Sequence, residues 1–402
     1  MNKHGSLPFG PMARHLPWVV LMGLVWLLTA CSSTHQRVIE TPTQNQEVTR
    51  PAVNASGALA GMPNTPDPDH VYRSRWVAAQ WSDLPGWGED SLQDAWNAWL
   101  HNCERPGPVF GPLCNDVRTL ILANDEDRRL WMMTHLRPYR LESLDGQSQG
   151  LLTSYYEPIF DASEQPRDGF TVPLYAPPPA LLQAKRARQP WYSRQEIDTL
   201  PQAQQALQGQ ALAWLASPID ALILQIQGSG LMRLTQSDGS VVIMRLSFAG
   251  SNEQPYQSVG RWLLDRGYVK DASWAGIKAW IASQQDTNPA LVQEMFWSNP
   301  RYIFFREDKA TLDAGPKGAQ GVPLTPGRSV AVDKDSVAYG TPLWLASNGP
   351  AGTLQKLVFA QDTGSAIVGA VRADYFAGTG SQAGDWAGQV KQNLRLWALW
   401  PQ

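Results

Sequence analysis

The sequence predicts a mainly β protein with helices, in which a second, β-rich domain is inserted into the first. Three observations point there. Charged residues make up only 17% of the chain, whereas 33 Gly, 31 Pro and 18 Trp punctuate it, a composition that suits many short strands joined by turns. Strand-like segments give way to mixed helix and strand and then return toward the C-terminus, with no internal repeat. The stretch from about Val71 to Gln402 is long enough for two domains.

The elements follow in order. The turn Leu84-Pro85-Gly86-Trp87 precedes a helix whose N-cap is expected at Asp90 or Ser91, with Leu92, Ala95, Trp96 and Trp99 at helical spacing. A second helix is expected over Asp125–Leu136, and Gly150–Phe160 reads as a strand. Tyr175–Ala180 reads as a loop, and Ser193-x-x-Glu196 is a capping box opening a short helix. The apolar run Asp220–Gly230 reads as a strand ending in a glycine turn, followed by a hairpin of Leu231–Leu234 and Val241–Leu246 around Ser237-Asp238-Gly239. Ser258–Arg266 is helical and stopped by Gly267, and Ser273–Ser283 and Leu291–Trp297 are further helices. Strands are expected at Tyr302–Phe305, Val330–Val332, Leu343–Leu345 and Leu357–Ala360.

The N-terminus tells where the chain is sent. Met1–His15 carries Lys3 and Arg14 and no acid, and Leu16–Ala30 is an apolar run, shorter than the roughly 20 residues of a membrane span. It reads as a secretory signal, residues 1–30, ending in Leu28-Thr29-Ala30-Cys31. That ending matches the bacterial lipobox, in which the cysteine thiol is acylated and becomes the mature N-terminus. Ser32 in place of Asp points to the outer membrane, lipid-anchored through Cys31 and facing the periplasm. Residues 31–75 are rich in Ser, Thr, Asn, Pro and Ala and read as a tether unable to bury a core. Cys103 and Cys114, in a loop rich in Pro and Gly, are read as a disulfide in an oxidising compartment, with two free thiols as the alternative.

Several chemistries drop out. Net charge is −3, which excludes a nucleic-acid partner on electrostatic grounds. All six histidines lie at or before His135, and no cysteine lies beyond Cys114. The C-terminal two-thirds therefore has no Cys-His nucleophile and no His/Cys metal site; no metal and no cofactor are expected. Gly146-x-Ser148-x-Gly150 sits in a polar turn before a strand, not at a nucleophile elbow. Gly378-x-Gly380-x-x-Ala383 lies too near the C-terminus to open a βαβ unit. Carboxylates remain for proton chemistry. The many tryptophans suit stacking on sugars, but core packing accounts for most of them.

Three stretches carry a family resemblance: Leu84-Pro85-Gly86-Trp87; Thr153-Ser154-Tyr155-Tyr156-Glu157-Pro158 with Gln225-Ile226-Gln227-Gly228-Ser229-Gly230; and Asp333, Gly340-Thr341, Asp362-Thr363-Gly364-Ser365-Ala366-Ile367 and Arg372-Ala373-Asp374. Together, from about Trp81 to Pro401, they resemble the membrane-bound lytic murein transglycosylase A family. The resemblance implies a double-psi β-barrel catalytic domain made of residues 76–158 and 306–402, an inserted domain of residues 159–305, and a groove between them for peptidoglycan glycan strands. It implies Asp374 as the catalytic acid/base and Asp362 and Asp333 as supporting aspartates. It also implies Thr153, Tyr155, Tyr156, Glu157, Gln227, Ser229 and Gly230 at the groove. The chain departs from the family pattern at Ser154 and Ser365 (commonly Gly), Val368 (commonly Lys) and Ala338 (commonly Pro). Val368 removes a cation near the site, so a different substrate preference or pH optimum is expected.

A lone aspartate suffices for such an enzyme if it first protonates the leaving oxygen and then takes the proton of the MurNAc 6-hydroxyl. It must then hold its proton well above the ordinary value of about 3.9, which burial and a neighbouring carboxylate such as Asp362 both favour. Asp362 reads equally well as a turn residue before Thr363-Gly364. A two-carboxylate hydrolase using Asp362 and Asp374, and a non-catalytic glycan-binding lipoprotein, are the rival readings.

Overall fold

The computed structural model describes residues 73–308 and 314–402. The signal and Cys31 lie outside the described residues, as does the tether up to residue 72. Among the described residues, no helix is long and apolar enough to cross a membrane.

The chain opens with strands β1 (Arg75–Ala78), β2 (Leu136–Glu142) and β3 (Gly150–Glu157). Then come β4 (Ile159–Ser163), β5 (Val172–Tyr175), β6 (Ala211–Leu215), β7 (Ser229–Thr235), β8 (Val241–Ser251) and β9 (Ile303–Asp308). It closes with β10 (Ser329–Val332), β11 (Pro342–Gly349), β12 (Gly352–Asp362), β13 (Arg372–Thr379) and β14 (Lys391–Pro401). The first sheet has the order β1-β2-β14-β11-β12-β10-β13-β3, and β14 pairs with β3 as well. That last pairing closes β14, β11, β12, β10, β13 and β3 into a barrel, with β10–β12 and β13–β3 parallel. The second sheet has the order β5-β6-β4-β7-β8-β9. The architecture is the expected one: mainly β with helices, in two barrel-like sheets.

Strand alternation explains the barrel's two buried layers. Leu343, Leu345, Val358, Ala360, Leu394, Leu396 and Ala398 fill the interior together with Leu152, Val330 and Ala373. The intervening Trp344, Phe359 and Trp397 point outward and pack under the helix Gln93–Asn102 through Trp96 and Trp99. Both faces of β11 are therefore buried, and each large apolar side chain contributes about 1.5–3 kcal/mol. The tryptophans named here are core residues. Cys103 and Cys114, beside this helix, are joined by a disulfide with Cα atoms 5.6 Å apart.

Local signals placed most helices. Asn124, Ser193, Ser258, Ser273 and Asn288 each cap a helix through the side chain. Three readings need correction. Asp220–Gly230 is not a strand: the helix Pro218–Gln227 occupies it, with Pro218 in the first turn and Gly228 at φ 84° closing it. A continuous apolar run has no period to tell strand from helix, and burial on nearly every side of this helix allowed it. Gly150–Phe160 is two strands, broken at Pro158, which has no N–H to give a ladder. Asp90 does not cap the first helix, whose N-cap is Leu92; its carboxylate is taken by buried Arg328, at 2.6 Å, and by the Leu357 N–H. In the second sheet β9 pairs with β8 along Ile303–Asp308.

Candidate active site

The barrel's interior-facing residues on β13 are Ala373 and Tyr375, so alternation turns Arg372, Asp374 and Phe376 to the other face. Asp374 sits opposite Ala331 on β10 and opposite Thr153 on β3. The Thr153 hydroxyl donates to Asp374 Oδ1, and Arg372 Nη2 donates to the same Thr153 oxygen at 2.7 Å. Asp374 Oδ2 has no partner among the described residues. Asp374 is half-buried, and burial of its carboxyl raises its pKa; the Thr153 hydrogen bond and the Arg372 charge pull the other way without overcoming it.

Asp362 ends β12. Its Oδ2 accepts from the Tyr155 hydroxyl at 2.8 Å, and its Oδ1 accepts from the backbone N–H groups of Ala319 and Thr363, each at 2.9 Å. Burial raises its pKa, the three hydrogen bonds lower it, and the charge of Asp374 raises it further. The Tyr155 hydroxyl is pushed well above its ordinary value by burial, then by Asp362 and Asp374. Two carboxyls that repel each other share one proton more readily than they ionise together. The charge of Asp374 is among the causes that raise Asp362, whereas Asp374 itself is shifted by burial, Thr153 and Arg372.

The other expected site residues divide. Tyr155 packs its ring against Phe376, centroids 5.3 Å apart, and Tyr156 donates its N–H to Gln227 Oε1 at 3.0 Å. Tyr156, Gln227 and Ser229 keep part of their surface exposed. Glu157 does not face a groove: it is fully enclosed, paired with Arg245 at 2.8 Å and receiving the Thr379 hydroxyl at 2.9 Å. Strand β4 and the second sheet begin immediately after it and cover it. Gly230 is likewise enclosed, because any Cβ there would stand 2.4 Å from Leu224 Cδ1. Asp333 lies away from the acid pair in its bonding: buried, it accepts from the N–H groups of Asp335 and Gly369 and so ties the turn after β10 to the loop before β13.

Arg372 was not singled out from the sequence. Its signal was there, since residues two apart on a strand share a face and Asp374 follows it by two. Among the described residues, no group of three or more His, Cys, Asp or Glu is placed to hold a metal ion.

Residues 151–306 match the MltA specific insert domain, and residues 328–400 match the 3D domain. A membrane-bound lytic murein transglycosylase A from Vibrio cholerae is 30% identical over 302 residues, which is 72% of this chain and 76% of the relative. The chain belongs to the membrane-bound lytic murein transglycosylase A family. It is thus an enzyme, a peptidoglycan lytic transglycosylase. Among solved structures, the lytic transglycosylase LtgG of Burkholderia pseudomallei is 40% identical with a TM-score of 0.56, over 82% of this chain and 96% of that one. Escherichia coli MltA with bound chitohexaose is 26% identical with a TM-score of 0.64, over 83% and 96%.

Proposed function

We propose that the enzyme cleaves the β-1,4 bond between MurNAc and GlcNAc without water, forming 1,6-anhydro-MurNAc, with Asp374 alone carrying the proton in both halves. The carrying observation is a carboxyl whose pKa burial raises, one oxygen engaged by Thr153 and the other without a partner among the described residues. Asp374 gives its proton to O4 of GlcNAc as the C1–O4 bond breaks and its electron pair stays on O4. The resulting carboxylate takes the proton of the MurNAc 6-hydroxyl as that oxygen bonds to C1. The proton returns to Asp374 and nothing else is consumed. Asp362 and Asp374 are both raised by burial, which supports a site where a carboxyl holds its proton to higher pH than in water.

Tyr155, Tyr156, Gln227 and Ser229 are the residues we assign to the glycan side; chitohexaose on the E. coli relative, an amino-sugar oligomer, supports that class of ligand. We further assign the barrel domain to residues 76–158 and 306–402, with residues 159–305 inserted. Acylation at Cys31 would hold the enzyme on the periplasmic face of the outer membrane; labelled palmitate incorporated by the parent and lost in Cys31→Ala tests that.

Mass spectrometry of muropeptides released from sacculi decides the chemistry. The parent should release anhydro ends, and Asp374→Asn should clear sacculi about 10²–10⁴-fold more slowly. Reducing ends would instead assign a two-carboxylate hydrolase. Full activity in Asp374→Asn would remove the proposal.

A further inference from the structure

We infer that Arg372 is a positioning residue: by donating to Thr153 it directs the threonine's one proton onto Asp374 Oδ1 and thereby confines the acid's own proton to Oδ2. The inference rests on the acid/base reading of Asp374. Its basis is donor counting. A guanidinium only donates, and a hydroxyl has one proton and two lone pairs. The contact from Arg372 Nη2 to Thr153 Oγ1, 2.7 Å, therefore occupies a lone pair. One lone pair remains beside the proton, and Asp374 Oδ1 is the acceptor of that proton among the described residues. An acid whose Oδ1 is accepting carries its proton on Oδ2, the oxygen with no partner among the described residues. With Arg372 in place, turning the second lone pair to an Oδ1–H would leave the threonine's own proton beside a guanidinium that only donates; without Arg372 that penalty is gone, and the catalytic proton can be buried against β3. Arg372 is itself anchored by backbone, donating to the carbonyls of Leu151 and Ala373.

Arg372 also acts through its charge, which favours the ionised form of Asp374. The other groups that bear on Asp374 are Asp362 from β12 and Tyr155 from β3. From β10 the residue opposite is apolar Ala331. Lys391 of β14 lies opposite Thr153 and is exposed, where solvent weakens its reach.

The test is the pH dependence of kcat on purified sacculi. Activity needs protonated Asp374, so it falls as pH rises through that group's pKa. Arg372→Met should lower kcat about tenfold, the scale of one lost orienting hydrogen bond, with KM unchanged, and should move the alkaline limb to higher pH. Arg372→Lys should keep the limb near the parent's. Thr153→Val should lose as much kcat, and Thr153→Ser should restore it. Because Arg372 orients the acid through the hydroxyl, Thr153→Val with Arg372→Met should lose no more kcat below the limb than Thr153→Val alone. An unmoved limb in Arg372→Met, or losses that multiply in the double variant, overturns the inference. If Arg372→Met does not fold, the near-isosteric Thr153→Val and Thr153→Ser pair still decides, since equal rates in those two would overturn it. Asp374→Asn separates the two levels: activity there sinks the acid/base reading, whereas inactivity there with an unmoved Arg372→Met profile sinks only the role of Arg372.

Discussion

At one end of the β3–β13 pair, Thr153 on β3 donates to Asp374 on β13, and Arg372 reaches the threonine. At the other end, Thr379 on β13 donates to Glu157 on β3, and Arg245 reaches the carboxylate itself, at 2.8 Å. A threonine, an arginine and a carboxylate thus build two devices. Direct guanidinium contact, with the side chains of Arg245 and Glu157 only 2% and 0% exposed, makes a fixed ion pair joining the barrel to β8 of the second sheet. Placing the threonine between guanidinium and carboxyl leaves Asp374 half-buried and able to hold a proton. The difference teaches that the identity of the partners matters less than which of them touches the carboxyl.

The strongest way to break the comparison is at the fixed pair. Arg245→Met leaves a buried carboxylate with Thr379 as its remaining named donor and should cost about 3–5 kcal/mol in urea unfolding. Adding Glu157→Gln should recover much of that loss. A parent-like midpoint for Arg245→Met would mean the two ends do not differ as argued.

Asp362→Asn probes the other end. Asp362 is harder to ionise folded than unfolded, so it adds stability while both states are protonated at acid pH, and that contribution is lost as pH rises through its folded value. The amide variant should therefore gain on the parent in thermal melts at neutral pH and show less advantage near pH 4. An electrostatic role for Asp362 would move the alkaline kcat limb of this variant to lower pH, opposite to Arg372→Met. An unchanged limb would reduce Asp362 to a turn residue. The smallest effect belongs to Thr379→Val, which removes one hydroxyl donor from Glu157. It should cost about 1 kcal/mol of stability and leave the pH profile of kcat where it was.

Much of the site was legible because its motifs are short. Asp362-Thr363-Gly364 and Arg372-Ala373-Asp374 named both carboxyls, and the second motif contained the arginine that was passed over. Glu157 and Gly230, expected at the groove, are enclosed in the structure, because a motif says nothing about what covers it. Glu157 is enclosed by Arg245, 88 residues away in sequence, and Gly230 by Leu224 and the Pro158 carbonyl. Strands β13 and β14 were not anticipated, although β14 closes the barrel. Lys391 pairs with Thr153 in that closure, and no local pattern specifies a partner so distant along the chain.

What the sequence determined by itself was whatever acts within a few residues: the caps at Ser193, Ser258 and Ser273, the break at Pro158, the helix periodicity of Leu92–Trp99, and the residue types available for proton chemistry. The tertiary structure alone decided which carboxyl is clamped by an arginine and which is reached through a threonine. A carboxyl's charge state is set by the desolvation and donors around it, and here those come from strands more than 200 positions apart, as Thr153 and Asp374 are.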